Sequence, residues 1–363
     1  MLRYCKELYK WKAFITFAYM DSLTQIILGA ACGEIVLGKK IGNKALLFGA
    51  IGGTIPDLDV ILGYVFFSNS IDQLAFHRGF MHSIVFAVLS PFVFGWITYK
   101  LYNTKKRTDT TKLKNWIWLY FLSIFTHPIL DSFTPYGTQL FLPFSDYRVA
   151  FNNISVADPL YTIPFLACVI TVMFYKRDSY QRSKWNKFGI YISSAYLLFT
   201  IGNKLYMNSV FEKSFQKENI PFQRFSSQPT ILNNILWYGI AETKKDYKVA
   251  FYSLLDKNSF ADSIISLPKN HHLLNMNDPD LQTLNWFSNG YYYLSTIDSS
   301  KNIRYNDLRY PLLNPKNKNS AVFSFELEKK GSRWESYRYV DESFENTSFS
   351  ENFSAFWKRI KGV

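Results

Sequence analysis

The apolar stretches that crowd the first 207 residues of this 363-residue chain carry histidines and aspartates in three short motifs, and that pairing limits the possible folds more than any other feature. The motifs are Pro56-Asp57-Leu58-Asp59, His77-Arg78-Gly79-Phe80-Met81-His82 and Thr126-His127-Pro128-Ile129-Leu130-Asp131, and they hold three of the five histidines. Ionisable side chains at membrane depth are costly unless paired or bound to a cation, so such a cluster reads as a functional site inside a helical membrane domain.

Apolar spans fall at roughly 24–38, 45–66, 80–99, 115–131, 158–175 and 188–206, most of them near the roughly 20 residues that a crossing helix needs. The first is short and the second is interrupted by Gly52, Gly53 and Pro56, so either could be re-entrant or buried among the others. Every second connection is basic: Lys39, Lys40 and Lys44, then Lys105, Lys106, Arg107, Lys112 and Lys114, then Lys176, Arg177, Arg182, Lys184 and Lys187. The positive-inside rule places these in the cytoplasm. Much of the net charge of +13 is thereby explained by topology, so membrane lipid and not nucleic acid is the expected partner. Cys5, Cys32 and Cys168 are scattered, which indicates neither a disulfide framework nor a thiolate zinc site.

The segments at 67–79 and 132–157, and everything after Tyr206, then face outward, which brings His77, His82, Asp131 and Asp158 to one side. Arg3, Lys6, Lys10 and Lys12 break the charge rule. Residues 1–19 are therefore read as an extension outside the native domain with Met20 as the start, unless the first span does not cross. Residues 20–207 form the membrane domain, with about five or six helices, one of them broken. Residues 208–363 form a small extracytoplasmic α+β domain, mainly antiparallel, with strands expected at Tyr291–Ile297, Ala321–Leu327 and Arg333–Val340 from their period-two alternation. His271 and His272 read as solvated surface.

Imidazole nitrogen and carboxylate oxygen are the usual ligands of zinc and of divalent manganese or iron. His127 and Asp131 lie one helical turn apart on one face. Asp57 and Asp59 follow a helix-breaking proline, so at least one of them turns inward, where a cation would keep it ionised. His77 and His82, five apart, need a turn between them, for which Gly79 is the candidate. The expected ligands are His77, His82, His127 and Asp131, with Asp57 and Asp59 supplying a further ligand and a supporting carboxylate or base. Arg78 either orients a phosphate or carboxylate or anchors at the interface. Asp158, followed by Pro159, reads as a helix N-cap.

Met20-Asp-Ser-Leu-Thr-Gln-Ile-Ile-Leu-Gly-Ala-Ala31, Gly53-Thr-Ile-Pro-Asp-Leu-Asp59, His77 to Ser83, Thr126 to Asp131 with Pro135-Tyr-Gly-Thr138, and Asp158-Pro-Leu-Tyr161 resemble the YdjM-like, LexA-regulated inner-membrane family of metal-dependent hydrolases. The resemblance covers roughly Met20 to Tyr206, and Pro229 to Trp237 is similar to the tail of longer members. It implies a multi-pass protein of the bacterial inner membrane. It also implies a distant similarity to the zinc-dependent phospholipase C and P1 nuclease fold, whose three-zinc sites use more histidines than this domain has, so one or two ions are expected. A site at the outward membrane edge suits an amphiphilic substrate, a phospholipid or a lipid-linked phosphodiester. The competing reading is a transporter or metal-binding module that hydrolyses nothing.

Overall fold

A computed structural model describes residues 2–107, 109–261, 263–297, 302–312, 321, 323–338 and 349–362, with the side chains of 2–21 and 349–353 left out of the description. Helix α1 (Leu2–Ile41) reverses at Gly42, whose φ of 60° is a glycine conformation, into α2 (Asn43–Thr54). The two pack closely because Gly29 and Gly33 face Gly49 and Gly53: a Cβ at any of the four would strike backbone of the opposite helix. Pro56 ends this run, since it lacks an amide and clashes with the preceding turn. One 3-10 turn (Pro56–Leu58) follows and α3 (Asp59–Phe66) leaves at 46° to α2.

Asn69 caps α4 (Ser70–Phe76) by accepting the amides of Ile71 and Asp72, and Ser83 caps α5 (Ile84–Tyr102) by accepting that of Phe86. Between them residues 77–83 make a tight turn. The left-handed residue in it is Arg78, at φ 57°, and not Gly79. Gly79 serves instead for close approach, since a Cβ there would meet the Phe76 carbonyl at 2.6 Å. Helix α6 (Leu113–Ser132), an irregular segment, α7 (Pro159–Met173) and α8 (Tyr180–Lys217) complete the bundle. Asp158 caps α7 as its sequence predicts, accepting the amides of Leu160 and Tyr161, and also accepts the Tyr196 hydroxyl at 2.9 Å.

Among the described residues two stretches, Ser22–Ile41 and Ile84–Tyr102, are long and apolar enough to cross a membrane, and the bent pair α2–α3 counts as a third if it is one span. The spans expected at 115–131, 158–175 and 188–206 become α6, α7 and α8, which fall short of that length or apolarity. The basic connections meet at one end of the bundle. There Lys40 donates to Asn115 at 3.0 Å, Arg177 donates to the Lys40 carbonyl at 3.1 Å and Asn43 donates to the Met173 carbonyl at 3.0 Å. Just inside that end, Arg182 grips Glu34 with two bonds of 2.7 and 2.6 Å, a buried pair absent from the sequence reading.

Helix α8 runs unbroken past the expected boundary at residue 207, and its last turns bury Met207, Phe211 and Phe215 under the first of two sheets. That sheet is an antiparallel meander of β1 (Arg224–Pro229), β2 (Leu236–Glu242), β3 (Asp246–Ser253) and β4 (Ile264–Pro268). After α9 (Pro279–Phe287), a second meander follows: β5 (Tyr292–Thr296), β6 (Ile303–Asp307), β7 (Ser324–Lys330) and β8 (Arg333–Arg338). The three expected strands correspond to β5, β7 and β8, with β7 starting three residues later than predicted and Tyr339 and Val340 outside the described residues. Tyr238, Val249, Tyr293 and Leu308 pack the sheets together, joined by Ile360 from α10 (Phe349–Ile360). His271 is not free surface: its ring stacks on Tyr292 at 4.3 Å and its Nε2 lies 3.1 Å from the Tyr292 carbonyl, whereas His272 is exposed.

Candidate metal centre

Three helical pieces and one turn bring the motif residues together at the end of the bundle opposite the basic connections. The 3-10 turn supplies Asp57, the start of α3 Asp59, the 77–83 turn His77, Arg78 and His82, and one face of α6 His127 and Asp131. The Nε2 atoms of His82 and His127 face each other at 3.2 Å, and Asp57 Oδ1 lies 3.6 Å from the first and 3.4 Å from the second. Ligand atoms around a tetrahedral ion with bonds of about 2.0–2.1 Å stand roughly 3.3–3.4 Å apart, so this triangle has the size of one face of such a site. Asp57, His82 and His127 form the group whose donor atoms all lie within 4.8 Å of one another.

What stands behind each imidazole fixes which nitrogen it presents. His127 Nδ1 is 2.6 Å from the Gly53 carbonyl, and His82 Nδ1 is 3.0 Å from Asp59 Oδ2. The bonded carbonyl puts the proton of a neutral His127 on Nδ1 and its Nε2 lone pair inward, whereas His82 Nδ1 meets Asp59 as a close pair without hydrogen-bond alignment. Asp131 Oδ2 joins them at 3.3 Å from His82 Nε2 and 3.4 Å from His127 Nε2. The inward-facing atoms are carboxylate oxygens and imidazole nitrogens, with Arg78 Nε 3.3 Å from Asp131 Oδ2 at their edge, a set that suits a cation. With neutral imidazoles, the carboxylates of Asp57, Asp59 and Asp131 against the one guanidinium of Arg78 leave two negative charges, the complement of a divalent ion. The donor set of two imidazoles and a carboxylate suits zinc, manganese or iron.

His77, expected among the ligands, stands apart from that group. Its Nδ1 is 2.9 Å from Asp59 Oδ1, which makes Asp59 a bridge between His77 and His82. The Arg78 amide donates to Asp59 Oδ2 at 2.9 Å, which holds the left-handed turn in place. The Arg78 guanidinium lies against Asp131 Oδ2 at 3.3 Å, donates to Thr134 at 2.9 Å and stacks over the Tyr136 ring. Burial pushes the Tyr136 hydroxyl up to about 12, so that residue is a neutral platform for Arg78 and His77 and not an acid or base near neutrality. Two polar residues escaped the sequence reading. Gln25 donates to Asp131 Oδ1 at 2.6 Å and Ser22 donates to Asp57 Oδ2 at 3.0 Å. Their signal was two polar side chains three apart, on one face of an otherwise apolar helix.

Access is one-sided. Asp57 is 18% exposed whereas Asp59, His82, His127 and Asp131 are each at 1% or less. Leu23 and Leu58, next in sequence to Ser22 and Asp57, are exposed hydrophobics at 40% and 42%.

A sequence profile of the family described as YdjM inner membrane protein matches residues 20–207. The chain is 31% identical over 157 residues to the uncharacterized protein YfhP of Bacillus subtilis, a match covering 41% of this chain and 45% of that one. It is 32% identical over 120 residues to the inner membrane protein YbcI of Escherichia coli, covering 32% of this chain and 64% of the other. The chain thus spans less than two thirds of the length of either relative. No solved structure matches.

Proposed function

The chain belongs to the YdjM inner membrane protein family, a family of the bacterial inner membrane, and from that premise we propose that it is a membrane-bound, metal-dependent hydrolase with its centre at Asp57, His82 and His127. The observation that carries this reading is the convergence of two imidazole Nε2 atoms and the Asp57 carboxylate at the spacing of a metal's ligands, with the Gly53 carbonyl fixing the tautomer of His127. The chemistry that a bound divalent ion supplies is activation of water near neutral pH and polarisation of the scissile group. Zinc fits the donor set best, with manganese and iron as the alternatives.

The remaining roles belong to the chain's own side chains. Asp59 and the Gly53 carbonyl orient the rings. Asp131 Oδ2 faces the same space from outside the three-residue group and is the carboxylate placed to take a proton from the attacking water. Arg78 holds Asp131 and brings a cation against the site, suited to an anionic group on the substrate. The exposed apolar residues Leu23 and Leu58, adjacent in sequence to Ser22 and Asp57, favour a substrate that arrives from the bilayer, a phospholipid or a lipid-linked phosphodiester. The basic connections gathered at the far end support an orientation with that end in the cytoplasm, and with the centre and the C-terminal domain outside it.

A transporter built on the same cluster would need a polar path to the basic end. The charged pair described in that half, Glu34 and Arg182, is closed on itself, and Arg182 also bonds Asn43 and the carbonyls of Val172 and Tyr175. The test is elemental analysis of the protein purified in detergent, followed by assays on lipid phosphodiesters. Metal near one equivalent per chain in the wild type, lost in His82→Ala and His127→Ala together with hydrolysis, is the expected result. A well-folded wild type that takes up no metal after reloading sinks the proposal; metal-dependent ion flux into proteoliposomes without hydrolysis supports the transporter.

A further inference from the structure

The α1–α2 turn and the α7–α8 turn enclose an open cleft of about 520 Å³ at the basic end of the bundle, lined by Gly42, Lys44, Tyr175, Lys176, Arg177 and Arg182 among others. Arg182 is a wall of it and not a free charge, since its guanidinium is taken up by Glu34, Asn43 and two carbonyls. The other cations are differently placed. Lys44 and Lys176 are exposed, and Lys44 stands 5.9 Å over the Tyr102 ring. Arg177 is anchored through Nη1 to the Lys40 carbonyl and lies 3.6 Å from Asp178, a pair exposed at 58% and 79% and therefore weak in water. Three cations against one carboxylate leave the cleft with two positive charges.

Within three residues of the lining in sequence stand exposed apolar side chains: Leu47 is 57% exposed, Met173 49%, Phe174 82% and Tyr180 77%. Exposed aromatics and aliphatics next to lysines at the end of apolar helices are the arrangement of a membrane–water interface. A free inorganic anion would use the cations alone. A ligand that uses both features carries a phosphate and acyl chains. We propose that this cleft binds the phosphate of an anionic phospholipid between Lys44, Lys176 and Arg177, with its acyl chains against Leu47 and Phe174. The bound lipid ties the α1–α2 hairpin to the α7–α8 hairpin. This is separate from the metal centre at the other end and does not rest on the hydrolase reading.

The test measures binding of phosphatidylglycerol, phosphatidylcholine and inorganic phosphate to the full chain in detergent, by lipid retention in native mass spectrometry and by the shift in unfolding midpoint. The cleft variant is Lys44→Gln/Lys176→Gln/Arg177→Gln, all at exposed positions; Lys100→Gln/Lys105→Gln/Lys106→Gln, at the end of α5 and just after it, removes three exposed cations outside the cleft lining. The wild type and the second variant should prefer phosphatidylglycerol to phosphatidylcholine by roughly 10-fold or more, and the cleft variant should lose that preference. Lys176→Glu serves as a single-site check should the triple variant fold poorly. Equal preference in the cleft variant, or equal loss in both variants, overturns the proposal, the latter by pointing to a diffuse basic surface. Displacement of the lipid by millimolar phosphate overturns the lipid assignment in favour of a free-anion site.

Discussion

His82 and His127 turn Nε2 toward each other and toward Asp57, with Nδ1 of His127 bonded to the Gly53 carbonyl and that of His82 close to Asp59, whereas His77 spends its Nδ1 on Asp59 and sits 22% exposed at the edge. From this difference, His77→Ala should keep close to a full equivalent of metal, while His82→Ala should lose it. Asp59→Asn, which keeps the shape but weakens the orientation of His82, should lower metal affinity by roughly 10- to 100-fold in a competitive chelator titration. Loss of metal in His77→Ala as complete as in His82→Ala would show that the ligand set is drawn wrongly. The one-turn spacing of His127 and Asp131 was legible because it follows from helix geometry alone. The division of labour between His77 and Asp57 was not. It depends on Arg78 taking a left-handed conformation that sequence assigns to the neighbouring Gly79, and on the direction in which the chain leaves Pro56.

The packing of α1 on α2 carries the site as much as the ligands do, because the carbonyl that orients His127 belongs to Gly53 in the glycine seam between these helices. Gly49→Ala puts a methyl group into the backbone of Gly29 and Gly33, with no flexible side chain there to yield. Forcing the helices apart should cost about 1–3 kcal/mol of stability and displace Gly53, so both the unfolding midpoint and metal retention should fall. Gly202→Ala in α8, where nothing lies within 4 Å, is the control and should be neutral or stabilising by up to about 1 kcal/mol. Metal retained at wild-type affinity in a destabilised Gly49→Ala would separate the seam from the site. The break at Pro56 could be read in advance because proline acts locally. Strands β1 to β4 could not: β2 is buried along nearly its whole length, between α8 on one side and the second sheet on the other, and so shows no alternation. The passage of α8 through the expected domain boundary was hidden for a similar reason, since its last turns exchange one apolar environment for another.

At the scale of the whole molecule, the C-terminal domain is docked onto the end that holds the candidate metal centre. Arg309 donates to the Tyr136 carbonyl at 2.9 Å, Asn234 donates to the Asn153 carbonyl at 2.8 Å, and the Arg148 guanidinium stacks among Tyr136, Trp286 and Phe287. A further contact joins β8 to α4, the helix that leads into the His77 turn. Ser336 donates its amide to Ser70, Asn69 donates to the Trp334 carbonyl, and Arg333 bridges Asp72 and Asp280. The joining of β8 to α4 was not legible in the sequence, where these partners are more than 250 residues apart. Burial raises the pKa of Asp280, but the bonds from Arg333 and the Trp334 amide outweigh it and hold the carboxyl below its ordinary value. A carboxyl whose folded pKa is depressed adds stability that is fully present above the unfolded value near 3.9 and disappears as pH falls through the lower, folded value. The difference in unfolding midpoint between wild type and Asp280→Asn should therefore stay constant from about pH 5 to 8 and shrink below about pH 4. Because Arg333 is half exposed, the plateau should be small and should narrow further in high salt. A difference that persists unchanged at pH 3 would mean that Asp280 acts through the hydrogen bond to the Trp334 amide and the shape of the interface, and that the ion pair is not what fastens β8 beside the helix feeding the metal centre.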